Sequence, residues 1–447
     1  MRSLASFTLE PEAALDLLAA LDAAAGTDAF LTPGRDGRAP RILAGLKAEA
    51  ELVADAATGP RDMAAFAFAD ARPVLGWLAY EWGLARHGVT SAKTRSLPLG
   101  ALRKYALYLS YDPDARSLEL LHPSAAGPAG EEGGTGPADD LVDLVRDLLA
   151  EGPPKALTRA PVRFSGALAQ SLDRTAYENA VQRAVDHIRA SDVSELNLSM
   201  ELRAEITSGD PLGLLRLLFR RYPAGYYACF RAPGGEREGG GAQTLLSTSP
   251  ERFLRVKDGE VLTQPIKGTL HAGLDRAPRE LAETLLASDK DEAELAIAVD
   301  LARDDLAAVC GTGSVRVYGH KSVLQVDDLL HMYSNVTGTL REECDVFDLL
   351  AAAFPPASVC GNPRRRSLQI IEELEPHSRE AYGGSFLMIH GPRDMDASTA
   401  VRTARCGAKS LVFHAGSAVV AESEPSREYH ETMAKAGKFL NLLRELA

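Results

Sequence analysis

Short strand-like runs joined by tight connections constrain the fold of this chain most strongly. Three runs rich in apolar and β-branched residues follow one another at 244–249, 253–256 and 260–263. The tripeptide Lys257-Asp258-Gly259, between the second and third runs, has the composition of a tight hairpin turn. The pattern predicts a β-meander, whose apolar face other elements must cover.

Further strand-like and helix-like segments extend along the chain. Strands are predicted where β-formers cluster, and helices where apolar residues recur at helical spacing. The predicted strands lie at 72–80, 105–111 and 193–206, and the predicted helices at 139–151, 177–190, 279–310 (with an interruption) and 428–446. The mixture indicates an α+β fold of antiparallel sheets covered by helices.

The chain length predicts two domains or one two-lobed domain, because 447 residues exceed the size at which a single core stays compact. Residues 122–139 are rich in glycine and proline and offer few apolar side chains, which predicts a loose loop. We therefore expect an N-terminal region at 1–155 and a second region at 171–447, with both regions sharing one two-lobed core.

The charge balance excludes some classes of partner. The formal net charge is −13 and no block of lysine or arginine occurs, which argues against nucleic acid and against an anionic membrane surface. A small anionic substrate remains possible where basic residues converge locally.

Cysteine usage and the N-terminus indicate the compartment. Five scattered cysteines form no C-x-x-C pair, which fits buried thiols in a reducing compartment. Acidic residues interrupt the apolar N-terminal run, and no stretch of about 18 apolar residues occurs elsewhere. We expect a cytoplasmic protein without a membrane span.

Lys267, in the hexapeptide QPIKGT at 264–269, lies close in sequence to Glu251. A lysine and a carboxylic acid this near each other suggest a nucleophile or base paired with a proton donor. The alternative is that Lys267 is a solvated surface charge.

Two acidic helical segments suggest a metal site. Glu294 lies where a helix passes from solvent into the core, and Glu428 and Glu431 share one helix face. Mg²⁺ prefers a few carboxylates together with water and ligand oxygens. The alternative for Glu428 and Glu431 is a favourable interaction with a helix N-terminal dipole.

Eight segments, in one order, carry a family resemblance. They are LNLS at 196–199, STSPERF at 247–253, QPIKGT at 264–269, DKDEAELAIAVDLARDDL at 289–306, HMYSNVTG at 331–338, FPPASVCGNPRRRSLQIIEELEP at 354–376, DMDASTAVRTA at 394–404 and AESEPSREYHETMAKA at 421–436. Through them the chain resembles the chorismate-utilising enzymes, which include anthranilate synthase component I, aminodeoxychorismate synthase component I, isochorismate synthase and salicylate synthase. The N-terminal region resembles the family only through GWLAYEWG at 76–83. The resemblance implies the family's fold, with antiparallel sheets packed face to face and flanked by helices.

The resemblance also implies how a dianionic substrate is bound. The matching positions supply Arg402 and Lys435 for the carboxylates of chorismate. They also supply Glu294 and Glu431 as ligands of Mg²⁺, with Glu428 as a further candidate.

Other matching positions surround the reacting ring. Glu251 matches the general acid that protonates the departing C4 hydroxyl, a task that needs a raised pKa. His331 and Tyr382 match positions that contact the ring or the enolpyruvyl group, although His331 could instead be a core histidine with satisfied hydrogen bonds. Thr269 and Gly416 match substrate-binding positions, and Gly416 allows close backbone approach to a carboxylate.

Two positions separate the branches of the family. In aminodeoxychorismate synthases that this chain resembles, the lysine at the position of Lys267 attacks C2 as the C4 hydroxyl leaves, and ammonia then opens the covalent intermediate at C4. The lysine must be neutral to attack, so a nearby metal or arginine would help by lowering its pKa. Glu195 stands where the hydrating enzymes carry a lysine base and the aminating enzymes usually carry glutamine. Both positions favour amination.

Some positions depart from the family pattern, and one module is missing. Asn362, Arg364 and Ala418 replace the usual alanine, lysine and glycine, and Ala418 could narrow the pocket. No cysteine lies in a G-x-C-x-G glutaminase motif, so we expect ammonia to come from solution or from a separate glutamine amidotransferase subunit. The sequence leaves two other interpretations open: anthranilate synthase component I or a related secondary-metabolism enzyme, and a catalytically silent chorismate-binding subunit.

Overall fold

The computed structural model describes residues 1–32, 41–123, 137–150, 162–209, 212–222, 224–233, 243–271, 278–326 and 329–447. The helices in these ranges are α1 (Pro11–Ala25), α2 (Pro60–Ala67), α3 (Tyr80–Leu84), α4 (Pro137–Ala150), α5 (Arg174–Arg189), α6 (Leu212–Arg221), α7 (Pro278–Leu286), α8 (Asp289–Ala307), α9 (Val346–Ala353), α10 (Arg364–Leu374), α11 (Pro425–Lys435) and α12 (Gly437–Glu445).

The strands of the N-terminal 170 residues are β1 (Arg2–Thr8), β2 (Thr27–Thr32), β3 (Arg41–Ala54), β4 (Val74–Leu78), β5 (Gly100–Asp112), β6 (Ser117–His122) and β7 (Arg163–Gln170). Those that follow are β8 (Glu195–Ser208), β9 (Tyr227–Ala232), β10 (Gln243–Ser247), β11 (Arg252–Lys257), β12 (Glu260–Thr263), β13 (Ile266–His271), β14 (Arg316–Val326), β15 (Leu329–Thr339), β16 (Gly361–Asn362), β17 (Ser385–Gly391), β18 (Asp394–Thr399), β19 (Thr403–Cys406) and β20 (Ser410–Val419).

The strands pair in two arms that meet at β5. The first arm runs β7, β8, β20, β19, β10, β9, β2, β3 and β5. The second arm runs β4, β17, β18, β11, β12 and β15, and β15 also pairs with β13 and β14. Because β5 pairs with both β3 and β4, it connects the arms. All these pairings are antiparallel.

The two arms pack face to face through an aromatic core. Phe30, Phe230 and Leu245 of the first arm lie in one buried cluster with Trp77 and Phe386 of the second arm. The rings of Phe230 and Phe386 are 6.3 Å apart between centroids. Burying the inner faces of both arms in this way removes a large apolar area from water. This confirms the predicted α+β fold of face-to-face antiparallel sheets.

Helices cover the outer faces of the arms. Helix α8 packs on the second arm through Leu295, within a cluster that also holds Phe347 of α9. Helices α5, α10 and α12 contribute Val181, Ile371 and Phe439 to a cluster that covers β8 and β20 on the first arm. Helix α8 also packs against β13 and β15, and α11 packs against β20.

Several predicted elements are confirmed. The 257–259 turn joins β11 to β12, with Asp258 and Gly259 at positive φ (53° and 85°), the conformation that its Asp-Gly sequence favours. The predicted interruption of the helix at 279–310 falls between α7 and α8, where Ser288 caps the second helix by accepting from the backbone N–H of Asp291. All five cysteines are buried and free.

Two predicted elements are wrong in detail. The single helix expected at 428–446 is two helices: α11 begins earlier, at Pro425, because proline fits the first helical position, and the helices meet at Ala436, before Gly437. The strand expected at 72–80 ends at Leu78, since the N–H of Tyr80 donates to the carbonyl of Glu380 at 2.8 Å and Tyr80 begins α3. Most of the loop expected at 122–139 lies outside the described residues.

Candidate functional site

Lys267 lies inside the protein between two carboxylates. It is on β13 and only 8% exposed; its Nζ donates to Glu195 at the start of β8 and lies 3.6 Å from Oε2 of Glu294 on α8. All three side chains are buried. The alternative interpretation of Lys267 as a solvated surface charge is therefore wrong.

The two carboxylates decide the charge of Lys267. Burial lowers its pKa, but the negative charges of Glu195 and Glu294 outweigh burial and leave the pKa above its ordinary value. The sequence predicts a neighbouring metal ion or arginine that lowers the pKa of Lys267, whereas the structure places two carboxylates beside it that raise this pKa. In the free protein Lys267 is an ammonium ion, and it must pass a proton to a neighbour before it can attack a substrate.

Gly268 allows β13 to approach the helices that flank it. Its φ is +66°, and a Cβ at this position would lie 2.9 Å from Leu285 Cδ1 and 3.0 Å from Asp291 Cγ. Glycine tolerates both the backbone conformation and the close approach. The glycine next to the lysine in QPIKGT therefore permits the contact between β13 and the start of α8, the helix that carries Glu294.

Glu251 lies on the loop between β10 and β11 and has the character of a general acid. Burial raises its pKa to about 7, although a hydrogen bond from Ser358 and the charge of Lys267 oppose the shift. Ser358 Oγ donates to Glu251 Oε1 at 2.6 Å. A cavity of about 30 Å³, lined in part by Thr263 and Asp305, lies beside it. A carboxyl group with such a pKa can donate a proton at neutral pH.

Lys435 and Glu431 lie together on the last turns of α11. Lys435 Nζ is 2.7 Å from Glu431 Oε1, and both side chains are partly exposed. The positive charge of Lys435 also lowers the pKa of Glu251. The lysine predicted to bind a carboxylate therefore lies within electrostatic range of the general acid.

Gly416 and Tyr382 form a second wall of the site. A Cβ on Gly416 would meet Leu198 O at 2.5 Å and both Asn197 Oδ1 and Tyr382 Oη at 3.0 Å. The absence of a Cβ at Gly416 is thus required by its neighbours in the fold, and its predicted approach to a substrate carboxylate stays a prediction. Burial raises the pKa of Tyr382 to about 12, and the charge of Glu251 contributes to this shift. Tyr382 is therefore a neutral hydroxyl within electrostatic range of the general acid.

His331, Thr269 and Arg402 complete the set of predicted residues. His331 is buried on β15 directly opposite Thr269 of β13, whose side chain lies outside the described part of the structure. Arg402 follows β18 at a φ of 51°, and its carbonyl accepts from the backbone N–H of Thr248 at 3.1 Å. That bond ties Arg402 to the loop on which Glu251 lies.

The predicted metal ligands suit Mg²⁺ chemically but are not gathered into a closed cluster. Glu294 and Glu428 are buried, and Glu428 Oε1 accepts from Ser423 Oγ at 2.7 Å, whereas Glu431 is half exposed beside Lys435. Among the described residues, no three His, Cys, Asp or Glu side chains converge on one point. A divalent ion here would need water and substrate oxygens as further ligands, which is the coordination that Mg²⁺ favours.

The departures at 362 and 364 have structural partners. Arg364 donates both Nη atoms to Asp305 of α8, at 2.7 and 2.6 Å, in a buried pair that a lysine could not make bidentate. The carbonyl of Asn362 accepts from the backbone N–H of Ser194 at 2.7 Å, next to Glu195. Both departures therefore lie in the scaffold around the site.

Sequence reasoning missed residues that act over long distances in the chain. Ser358, which hydrogen-bonds the general acid, and Arg379, which is 1% exposed, carry no chemical signature of their own. Ser358 lies within the resembling segment 354–376, and that membership was the available signal.

The chain is similar in sequence to known proteins. The sequence profile described as chorismate binding enzyme matches residues 17–441. Anthranilate synthase component 1 of Thermus thermophilus is 38% identical over 268 residues, which are 60% of this chain and 56% of that protein. Aminodeoxychorismate synthase component 1 of Salmonella typhimurium is 34% identical over 290 residues, 65% of this chain and 62% of that protein.

The chain thus matches little more than half the length of these relatives. The crystal structure of anthranilate synthase component I from Streptococcus pneumoniae superposes with a TM-score of 0.73 and 24% identity, over 89% of this chain and 91% of that one. At this identity the likeness supports the fold. No helix among the described residues is long and apolar enough to cross a membrane.

Proposed function

This chain belongs to the family of chorismate binding enzymes, and on that premise we propose that it is the aminating component of an aminodeoxychorismate synthase. It converts chorismate and ammonia to 4-amino-4-deoxychorismate, a precursor of 4-aminobenzoate and folate. The observation that carries the proposal is the burial of Lys267 between Glu195 and Glu294, within electrostatic range of Glu251.

The first chemical step uses the two buried ionisable groups. Lys267 passes one proton to Glu195, with which it shares a hydrogen bond, and the neutral amine attacks C2 of chorismate. Both ring double bonds shift, C1=C2 to C1=C6 and C5=C6 to C4=C5, as the C4–O bond breaks. Glu251 supplies the proton with which the hydroxyl leaves as water.

The second step restores both groups. Ammonia attacks C4, both double bonds shift back and the bond between C2 and Lys267 breaks. One proton of the added ammonia returns to the carboxylate of Glu251, and Glu195 returns its proton to Lys267. The sum is chorismate plus ammonia giving the 4-amino product plus water.

Binding and charge compensation fall to the residues around the lysine. Arg402 and Lys435 would bind the two substrate carboxylates. Glu294 and Glu431, with Glu428 as a further candidate, would hold a Mg²⁺ ion, which would compensate the charge of a substrate carboxylate. Tyr382, His331, Gly416 and Thr269 would contact the substrate ring or its substituents.

No cysteine of the given sequence lies in a G-x-C-x-G glutaminase motif, and ammonia would come from solution or from a partner. We propose a separate glutamine amidotransferase subunit as that partner. The purified chain alone should use ammonium salts but not glutamine.

Anthranilate synthesis is the second candidate, because relatives up to 38% identical carry that name. The product separates the two. We would incubate the protein with chorismate, ammonium and Mg²⁺, with and without a 4-aminodeoxychorismate lyase, and identify the products by chromatography and mass. A product that keeps its enolpyruvyl group and gives 4-aminobenzoate only with the lyase supports the proposal. Direct formation of anthranilate would overturn it, and unconsumed chorismate would favour a silent binding subunit.

A further inference from the structure

Arg379 and Glu375 form an ion pair that is almost completely sealed from water. Arg379 is 1% exposed and Glu375 2% exposed. Arg379 Nη2 donates to Glu375 Oε1 at 2.6 Å, and Nε donates to Oε2 at 2.9 Å. The pair lies directly after α10. In the contacts given above, neither residue touches Glu195 or Glu294, the carboxylates beside Lys267.

The pair connects the two polypeptide segments that carry acidic groups of the site. Arg379 Nη2 also donates to the carbonyl of Asn197 at 2.7 Å, and Glu375 Oε1 accepts from the N–H and the hydroxyl of Ser199 at 2.7 and 2.9 Å. These residues follow Glu195 on β8. The pair therefore fixes the strand whose first residue holds Lys267.

The other bond of the guanidinium reaches the general acid. Arg379 Nη1 donates to the carbonyl of Val359 at 2.6 Å. Val359 follows Ser358, whose hydroxyl donates to Glu251. One planar side chain thus sets the position of the strand of Glu195 relative to the turn that orients Glu251.

Two residues of the N-terminal region contact Arg379. The ring of Tyr80 lies 4.6 Å from the Arg379 guanidinium. Glu81 Oε1 accepts from Ser378 Oγ at 2.6 Å and from the backbone N–H groups of Arg379 and Glu380 at 2.8 and 3.2 Å. This gives a role to the segment GWLAYEWG at 76–83, which no chemical step above uses.

A buried ion pair adds little net stability compared with well-packed apolar side chains, because desolvation offsets the attraction. We propose that Arg379 is a positioning residue which, with Glu375 as its partner, holds Glu251 and the Glu195–Lys267 pair in the geometry needed for reaction with chorismate. The roles of Glu251 and Lys267 rest on the proposed function.

The test replaces both charges at once, so that neither is orphaned. The variant is Arg379→Met with Glu375→Leu, and the readouts are thermal unfolding, chorismate binding by calorimetry, and chorismate consumption with ammonium and Mg²⁺. We expect a folded protein whose KM for chorismate changes less than about threefold while kcat falls about 100-fold, because misplaced reacting groups affect the chemical step. A purely structural role would alter unfolding and leave the kcat of the folded protein unchanged.

Two single variants complete the design. Arg379→Lys keeps the positive charge but loses the planar guanidinium group, which donates several hydrogen bonds at once. This variant should show the same fall in kcat with an unchanged KM for chorismate. The matched control is Arg103→Lys, which alters a partly buried arginine that pairs with Asp28 at 2.7 Å outside the candidate site, and it should keep kcat.

The outcomes are decisive in each case. If the folded double variant keeps kcat within threefold of the wild type, the proposal is wrong; if it does not fold, Arg379→Lys decides by the same criterion. Chorismate consumption is measured whatever the product. A wild-type protein that makes anthranilate therefore overturns the proposed function but leaves this test intact.

Discussion

Lys267, Glu195 and Glu294 are charged side chains in a place that water hardly reaches. Burial of a charge costs several kcal/mol unless partners compensate it, and paired buried charges are at best weakly stabilising. Lys267 and its two carboxylates thus carry a desolvation cost that apolar side chains at these positions would not have. At the residue scale, chemistry explains this arrangement better than stability does.

Replacing Lys267 by arginine separates its charge from its nucleophilicity. Arginine keeps the pairing with Glu195 and Glu294 but is never neutral in proteins. We expect Lys267→Arg to lower the rate of amination by about 100-fold or more while the protein stays folded. The measurement is product formation by chromatography. The control is Lys257→Arg at the surface, where the lysine pairs with Asp394 at 2.5 Å; equal rates for both variants would contradict the role of Lys267.

The raised pKa of Glu251 predicts how the rate depends on pH. Only the protonated carboxyl can donate, so kcat/KM for chorismate should fall as pH rises through about 7 at a fixed concentration of free ammonia. Glu251→Gln should lower the rate by about 10²–10⁴-fold and abolish this limb of the profile. An unchanged limb in the variant would assign the ionisation to another group.

The same shift predicts that the stability of the protein also falls as pH rises. Because the folded pKa of Glu251 (about 7) lies above its ordinary value of 4.5, the native state binds the proton more tightly, and stability is lost as pH rises from 4.5 to 7. Glu251→Gln should therefore be more stable than the wild type at pH 8, by up to about 3 kcal/mol, and should gain little at pH 4. Urea unfolding at both pH values measures this, and an equal difference at the two values would exclude the linkage.

At the scale of elements, local patterns predicted most helices and strands but not how they meet. The turn at 257–259 and the helix α5 follow from turn chemistry and from apolar spacing, which are properties of neighbouring residues. The bond between Glu251 and Ser358 joins residues 107 positions apart, and no local pattern encodes such a contact. Candidate site residues could therefore be named from motifs, whereas the bonds that support them required the structure.

The contact between β13 and the start of α8 gives a prediction at this scale. Gly268→Ala would place a Cβ within 3.0 Å of Leu285 and Asp291 at a positive φ, so we expect a loss of about 1–3 kcal/mol in the free energy of unfolding and a lower rate. Gly313→Ala shares the positive φ (+77°), but a Cβ there meets nothing within 4 Å, and it should show the backbone cost without the loss of rate. Denaturant unfolding and chorismate turnover measure both effects; similar rates for the two variants would show that the contact does not position the site.

At the scale of the whole molecule, the core between the arms joins the N-terminal strands to the strands that carry the site. Strand β4 pairs with β17 and β2 pairs with β9, while Trp77 and Phe386 share one buried cluster. These pairings and this core connect residues that are hundreds of positions apart in the sequence. Order in the N-terminal strands should therefore be coupled to order at the site.

Trp77→Ala tests that coupling. Truncating a buried tryptophan costs about 3–5 kcal/mol, and we expect the whole protein to unfold in one transition at a lower temperature. Intrinsic fluorescence and far-ultraviolet circular dichroism should report coincident transitions. Separate transitions, with the second at the wild-type temperature, would show that the two regions fold independently.

The proposed covalent bond between Lys267 and the substrate would change the intact mass of the protein, which mass spectrometry measures. The protein is mixed with chorismate and Mg²⁺ without ammonium, quenched in acid, and analysed by mass spectrometry and peptide mapping. We expect an adduct on Lys267 with the mass of one chorismate less one water. The adduct should disappear when ammonium is added before the quench, and it should be absent from Lys267→Arg. Amination that proceeds at the normal rate in Lys267→Arg, with no adduct on the wild type, would contradict the proposed covalent bond.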